Sequence, residues 1–414
     1  MATDYISLPP LDAIEAALHK TTETLARVIS QSTQDTPRWS EFEWQIAEAA
    51  AAMHGISALL WTRIRTQGPY RWQAFLAAQK RHTELRRQLI MELLEKIDWQ
   101  MRHAGVGCVA LKGAALYRLG LFPDGERAMG DVDLLVRNAD LEAAAQSLAA
   151  LGYTESFRTQ RHRVFDPAGL TIFNGLGEHA GNPVKIELHS RIAERLPVHE
   201  IDITALEFPQ HARAGINPYP STAALMRHVL LHAAGNMRAR ALRFNQLHDI
   251  ALLAARMTSA DWDELCHDSM QSSGLWWTFP PLALTARYYS NAIPPATIEA
   301  AAAGSPYWLR RTCRRHTVVD VSWSKLRIQA FPGIEWSRSP VEACQHVLSR
   351  VFPSRVALAE LQEGMAAAPY MTAVPWYGLS HVKRILRWLF SQPPRVQSIY
   401  PVQLALGIRR ASSV

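Results

Sequence analysis

Cysteine is scarce in this chain: four in 414 residues, Cys108, Cys266, Cys313 and Cys344, with no two close enough for a C-x-x-C pair. That spacing offers neither a disulfide framework nor a thiolate zinc site, and it predicts reduced, mostly buried thiols of a cytosolic protein. Long apolar runs are missing as well. None approaches the ~18 residues that a membrane span requires. The opening stretch, MATDYISLPPLDAIEAALHK, lacks a basic segment followed by an apolar one, so no signal peptide is expected. Internal repeats and low-complexity segments are absent, which excludes a solenoid. The expectation is a soluble, cytoplasmic protein.

What is present fits a globular enzyme or binding protein. The hydrophobic fraction is 48%, enough for a sizeable core, and 414 residues suit two to three domains. Alanine is abundant and β-branched residues do not dominate, which leans helical. The formal charge is +7 with a pI near 9.3, compatible with a phosphate-bearing or acidic partner.

Apolar spacing predicts helices over Leu11 to Ile29, from Ser40 to about Trp61, and from Trp72 to about Arg102 after a break at Gly68-Pro69. Strands follow at Val106 to Leu111 and Asp131 to Val136, with a short helix from Gly113 to Leu119 between them. Asn138-Ala139-Asp140 is expected to cap a helix ending at Leu151. Arg161 to Phe165 and Leu170 to Asn174 read as a hairpin, and Val184 to His189 alternates as a strand. A Pro- and His-rich connection reaches about Pro220. Ser221 is a candidate N-cap for a helical remainder, with further helices near 261–272, 281–303 and 340–350.

The informative stretch is Ala110 to Arg137. A small-residue turn, Lys112-Gly113-Ala114, follows an apolar run. Gly130-Asp131-Val132-Asp133 then leads into Leu134-Leu135-Val136. Aspartates at i and i+2 of a strand share one face. They would repel each other without a cation between them, and oxygen ligands of that kind suit Mg²⁺.

Leu111-Lys112-Gly113, Arg127 and Gly130-Asp131-Val132-Asp133-Leu134-Leu135-Val136 together resemble a bacterial family usually called uncharacterised nucleotidyltransferases, within the polymerase-β-like superfamily. Segments around His228, His232 and Leu247-His248-Asp249-Ile250 are also similar to it. The resemblance implies an α/β (α+β) nucleotidyltransferase core with a small mixed sheet, flanked by N- and C-terminal helical regions in a predominantly helical chain. The domains would be a helical region over 1–104, a catalytic core over 105–215 and a helical domain over 216–414. It implies a third carboxylate, here Glu187, where the family has aspartate.

Asp131, Asp133 and Glu187 would then be catalytic and bind metal, two Mg²⁺ ions with Mn²⁺ as a substitute. Lys112, Gly113, Arg127 and Gly130 would bind the nucleotide, with His189 and His232 in supporting positions. The implied reaction moves a nucleoside monophosphate from a nucleoside triphosphate (ATP among them) to a hydroxyl or phosphate. A peptide or small-molecule acceptor, as in natural-product tailoring, is favoured over the 3′ end of an RNA. The rival of another class is a non-catalytic nucleotide- or RNA-binding protein. His228 and His232 have zinc-ligand spacing but lack the accompanying glutamate, so packing or a substrate contact is expected. The basic run Arg310 to His316 reads as a solvated helix face, and the amphipathic 381–390 segment as a helix packed on the protein. Trp276-Trp277, near Pro280-Pro281, is a candidate groove lining.

Overall fold

The runs Cys108–Val109–Ala110 and Leu134–Leu135–Val136 have almost no polar surface to offer water, and both lie in buried central strands. A computed structural model describes residues 8–31, 37–64, 67–159, 162–169, 172–271, 275–354, 358, 379–408 and 412–413. Its mixed sheet has β1 (Gly107–Ala110), β2 (Asp131–Val136), β3 (Tyr153–Arg158), β4 (His162–Pro167), β6 (Lys185–His189) and β9 (Gly215–Asn217), in the order β3-β4-β6-β2-β1-β9. β2 runs parallel to β6 and antiparallel to β1, while β9 runs parallel to β1. Outside it, β5 (Phe173–Asn174) pairs with β10 (Ser412–Ser413), and β7 (Ala193–Leu196) with β8 (His199–Asp202).

Helices dominate the rest. Before the sheet come α1 (Leu11–Gln31), α2 (Glu41–Met53), α3 (Ser57–Ile64) and α4 (Tyr70–His103). Ser40 and Glu43 start α2 with a reciprocal capping box. Within the sheet's connections lie α5 (Lys112–Arg118), α6 (Leu141–Ala150) and α7 (Thr204–Glu207). The chain continues through α8 (Thr222–Ala239), α9 (Phe244–Ala254), α10 (Ser259–Gln271), α11 (Phe279–Tyr288), α12 (Pro295–Gly304) and α13 (Tyr307–Cys313). The last helices described are α14 (Pro340–Val351), α15 (His381–Ser391) and α16 (Val396–Ala405). No helix among the described residues is long and apolar enough to cross a membrane. Ser221 caps α8 as expected, accepting from the Ala224 amide at 3.0 Å.

Several local expectations are corrected. β4 pairs with β3 and β6, not with Leu170 to Asn174, because β3 supplies an edge directly before it; Arg161 and Leu170 lie outside the described residues. Asn138–Asp140 forms a 3₁₀ turn, and Asp140 makes no side-chain cap. The connection before Ser221 contains β7, β8, α7 and β9; β9 is too short to show an alternating pattern. The helix expected over 281–303 divides at Tyr289–Pro294 into α11 and α12, as Pro294-Pro295 begins the second. Trp276 and Trp277 are core residues, not a groove. On α15, Val382, Leu386 and Phe390 are exposed rather than packed. Of the cysteines, Cys108 and Cys313 are buried, whereas Cys344 is exposed.

The long α4 also positions the site. Its buried Arg86 donates to the carbonyls of Met129 (3.2 Å) and Gly130 (3.0 Å), directly before β2, and to that of Asn182 (2.6 Å), just before β6. One guanidinium thus fixes the entrances to both neighbouring strands.

Candidate active site

The register of β2 on β6 builds the centre. Asp133 lies directly opposite Glu187, and Asp131 opposite Lys185. Side chains two apart on a strand share a face, so Asp131, Asp133, Glu187 and His189 project together. His162 on β4 is the cross-strand partner of His189, with ring centroids 5.1 Å apart.

Asp133 is buried and takes two donors on one oxygen: Lys112 Nζ at 2.8 Å and His189 Nε2 at 2.9 Å. His189 Nε2 also stands 3.4 Å from Glu187. Burial opposes the charge on Asp133, but Lys112 and the His189 hydrogen bond hold its carboxyl well below the usual range. Asp131 behaves oppositely. Burial, then the charges of Asp133 and Glu187, push it up to about 6. Burial would strip the Lys112 proton, yet Asp133, Glu187 and Asp131 together keep it charged. Lys112 reaches this position from a left-handed backbone, φ 46°, a strained conformation for a residue with a Cβ.

These ligands suit a divalent cation. Asp133, Glu187 and His189 each bring a ligand atom within 4.8 Å of the others. The surplus of carboxylate charge, and the Lys112 ammonium drawn against Asp133, indicate a place where positive charge belongs. Hard oxygens fit Mg²⁺ or Mn²⁺, and the imidazole nitrogen adds a donor common for transition metals.

Two cavities adjoin this cluster. The larger, about 280 Å³, is lined by Gly113, Arg127, Gly130, Asp131 and Asp133 on the sheet side and by Asn236, Arg243, Asn245, Asp249 and Trp323 opposite. The smaller, about 180 Å³, lies on the Glu187 and His189 side. Lys112 and His232 line both. His232 sits 3.2 Å from the Asn236 amide, and His228 2.6 Å from the Tyr219 hydroxyl. Burial holds both imidazoles neutral, His228 being pushed down to about 3.

Thus the structure brings Lys112, Gly113, Arg127, Gly130, Asp131, Asp133 and His232 to one cavity, and Glu187 and His189 to its neighbour. Arg127 is already engaged: it holds Asp249 through two hydrogen bonds of 2.9 and 2.7 Å. Gly113 is packed where a Cβ would fall 2.5 Å from the Arg127 guanidinium and from Met129 Sδ. Sequence reasoning missed Arg243, Trp323 and His162. Arg243 is exposed, lies 5.0 Å over the Trp323 ring, and has no carboxylate partner among the described residues. Nothing in the local sequence marks it, because α9 and the Trp323 loop bring it in from far along the chain.

Paired carboxylates on adjacent central strands, with a glycine turn beside them and a helical wall opposite, form one acidic centre between the two cavities. The chain belongs to the uncharacterised nucleotidyltransferase family, whose model matches residues 40–287. No curated protein and no solved structure matches it.

Proposed function

We propose that the protein is a Mg²⁺-dependent nucleotidyltransferase that moves a nucleoside monophosphate from a nucleoside triphosphate to a hydroxyl or phosphate of a peptide or small molecule. The observation that carries this reading is the Asp133–Glu187 register pair, with Asp131 beside it and a cavity on either side. One or two divalent ions bound there would supply charge to the attacking and leaving oxygens of an in-line displacement. Asp131, Asp133 and Glu187 would hold those ions, with His189 orienting Asp133 and Glu187. The triphosphate would occupy the larger cavity. Among the described residues that line it, Lys112 and Arg127 are paired with Asp133 and Asp249, so Arg243 would meet phosphate oxygens. Glu187, facing the smaller cavity, would receive the acceptor's proton.

One observation favours a second reading, an RNA acceptor. Arg311, Arg314 and Arg315 are exposed near Tyr307 and Trp308, which are 60% and 61% exposed on α13. Bases stack on such rings beside cations.

The deciding experiment offers each α-³²P-labelled nucleoside triphosphate with Mg²⁺ to RNA, peptide and small-molecule fractions of a lysate, with Asp131→Ala in parallel. Label in the peptide or small-molecule fraction, lost in the variant, supports the reading. Label confined to RNA supports the second. Bound nucleotide with no transfer to any fraction favours a binding protein.

A further inference from the structure

A third cavity, of about 210 Å³, shares Arg243 and Trp323 with the larger one. The two differ in chemistry. Charged side chains line the larger, among them Lys112, Arg127, Asp131, Asp133 and Asp249. The third has apolar walls, with Met53 from α2, Leu176, and Pro401 and Leu404 from α16, next to the rings of Trp323 and Tyr400. A nucleoside triphosphate is divided in the same sense, with charge at one end and a flat aromatic ring at the other. Resting on the nucleotidyl-transfer reading above, we propose that the third cavity is the pocket for the nucleobase of the triphosphate, and that the Gln397 side chain reads that base.

Apolar walls with a few placed polar groups are what a flat organic ring requires. Every base has a face that stacks on an aromatic side chain, so Tyr400 and Trp323 can hold a base without regard to its identity. Identity has to be read at the edge of the ring. Gln397 brings a carboxamide to this cavity. A carboxamide carries a donor and an acceptor side by side, and can pair with two edge atoms of one base at once. Of the charged residues that line the cavity, Glu178 is paired with Arg86 at 3.2 Å, and Arg243 stands on the boundary with the larger cavity, where the phosphates would lie.

The walls are held by bonds within the protein. Gln79 on α4 donates to the Leu176 and Glu178 carbonyls at 3.3 and 3.1 Å, and accepts from the Glu178 amide at 2.8 Å. Gly177 between them has φ +81°, and a Cβ there would collide with the Gln79 amide, so this clasp needs glycine. The Tyr400 hydroxyl donates to the Asn174 carbonyl at 3.4 Å, and the Ser398 hydroxyl on the same helix donates to the Trp323 carbonyl. Both rings are thereby tied to α16. Walls fixed in this way lose little freedom on binding. α16 lies beyond residues 40–287, which the family model matches, so the family match does not carry this pocket.

The test uses the full chain with Mg²⁺, and calorimetry with inorganic tripolyphosphate and each of the four ribonucleoside triphosphates. Tripolyphosphate presents the phosphates without a base. In the wild type, the favoured nucleoside triphosphate should bind at least ~10-fold tighter than tripolyphosphate, the scale of stacking one base. It should also exceed the least favoured one by about 10-fold, the scale of one bidentate pair. Ala52 is half-buried and lines the cavity. Ala52→Phe fills that space and should bring every nucleoside triphosphate down to the affinity of tripolyphosphate. Gln397→Leu should erase the preference among bases while keeping the tighter binding. Both variants should bind tripolyphosphate as wild type does, which also shows that they fold. Nucleoside triphosphates bound normally by Ala52→Phe would overturn the proposal, and if that variant also stopped transferring label the cavity would belong to the acceptor. An unchanged preference in Gln397→Leu would overturn it as well. Tripolyphosphate bound as tightly as any nucleoside triphosphate would overturn the base pocket and leave the nucleotidyl-transfer reading standing. A folded wild type that binds none of the five would overturn both.

Discussion

The Lys112 ammonium donates to the Asp133 carboxylate at 2.8 Å, and the same oxygen receives His189. The two aspartates of the D-x-D motif therefore have different physical situations. Asp133 is buried and fully compensated, while Asp131 is half-buried and crowded by like charge. Asp133→Ala takes from the largely buried Lys112 its hydrogen-bonded counter-charge, leaving only Glu187 and Asp131 to balance it. Removing one partner of such a pair typically costs ~3–5 kcal/mol, and the lower end is expected here because Lys112 keeps some solvent contact. Asp131→Ala removes a repulsive charge, and metal-free stability should stay within about 0.5 kcal/mol of wild type or rise. Urea denaturation of both variants checks the contrast. Nucleotidyl transfer should fall at least ~10²–10³-fold in both, the scale of losing one strong transition-state interaction.

The raised pKa of Asp131 has a sign that can be measured. Its ordinary carboxyl titrates near 3.8, and in the metal-free fold it is pushed up to about 6 by burial and by Asp133 and Glu187. The folded state thus holds this proton more tightly than the unfolded chain does. Its contribution to metal-free stability is most favourable below about pH 4 and is lost as pH rises toward 6. Metal binding runs the other way, because a ligating carboxylate must lose its proton. Affinity for Mn²⁺, measured by calorimetry, should rise with pH through about 6 as Asp131 loses its proton. It should continue to rise above that as His189 loses its own; burial opposes the charge on His189, but the hydrogen bonds to Asp133 and Glu187 raise its titration. Asp131→Asn should remove the part of the slope below pH 6. A flat profile in the wild type from pH 5 to 7 would mean that Asp131 is not the titrating ligand.

Much of this centre could be read from the chain because it is local. Gly130 to Val136 states its own strand, its shared face and its burial, and the alternation in Val184 to His189 identifies a second strand. What could not be read is pairing at a distance. Arg127 meets Asp249 across 122 residues, and Arg243 rests on Trp323 across 80. Those partners depend on how α8 and α9 pack over the sheet, and neither periodicity nor capping encodes that. The strands between Ile192 and Ser221 escaped for another reason. They have three or four residues each, too few to display a period of two.

The Arg127–Asp249 pair tests whether this arginine serves structure or phosphate. Both side chains are nearly buried, at 11% and 5% exposure, and the geometry is bidentate. Arg127→Ala strands the Asp249 charge and should destabilise the fold by ~3–5 kcal/mol. Replacing both residues, as Arg127→Met with Asp249→Leu, should recover most of that loss in denaturant titrations. A phosphate-binding role predicts a different pattern: little effect on stability, and weak triphosphate affinity in single and double variants alike. Gly113→Ala drives a Cβ against the same guanidinium, so its effect on stability should not add to that of Arg127→Ala.

Arg243 carries the complementary expectation. It faces the larger cavity with no carboxylate partner among the described residues, and its charge is close enough to Asp131 to oppose that group's upward shift. The Trp323 ring beneath it limits the directions the guanidinium can take, which lowers the entropy lost when phosphate binds. Arg243→Ala should leave stability within about 0.5 kcal/mol, as for an exposed side chain without structural bonds. It should weaken Mg-triphosphate binding by about 10–100-fold, the range expected for removing a charge-assisted hydrogen bond of ~1.5–3 kcal/mol. The parent nucleoside, which has no phosphate, should bind the variant and the wild type equally. Calorimetry with both ligands separates the outcomes: parallel losses would assign Arg243 to the base or the sugar, and no loss with either would remove it from the nucleotide site.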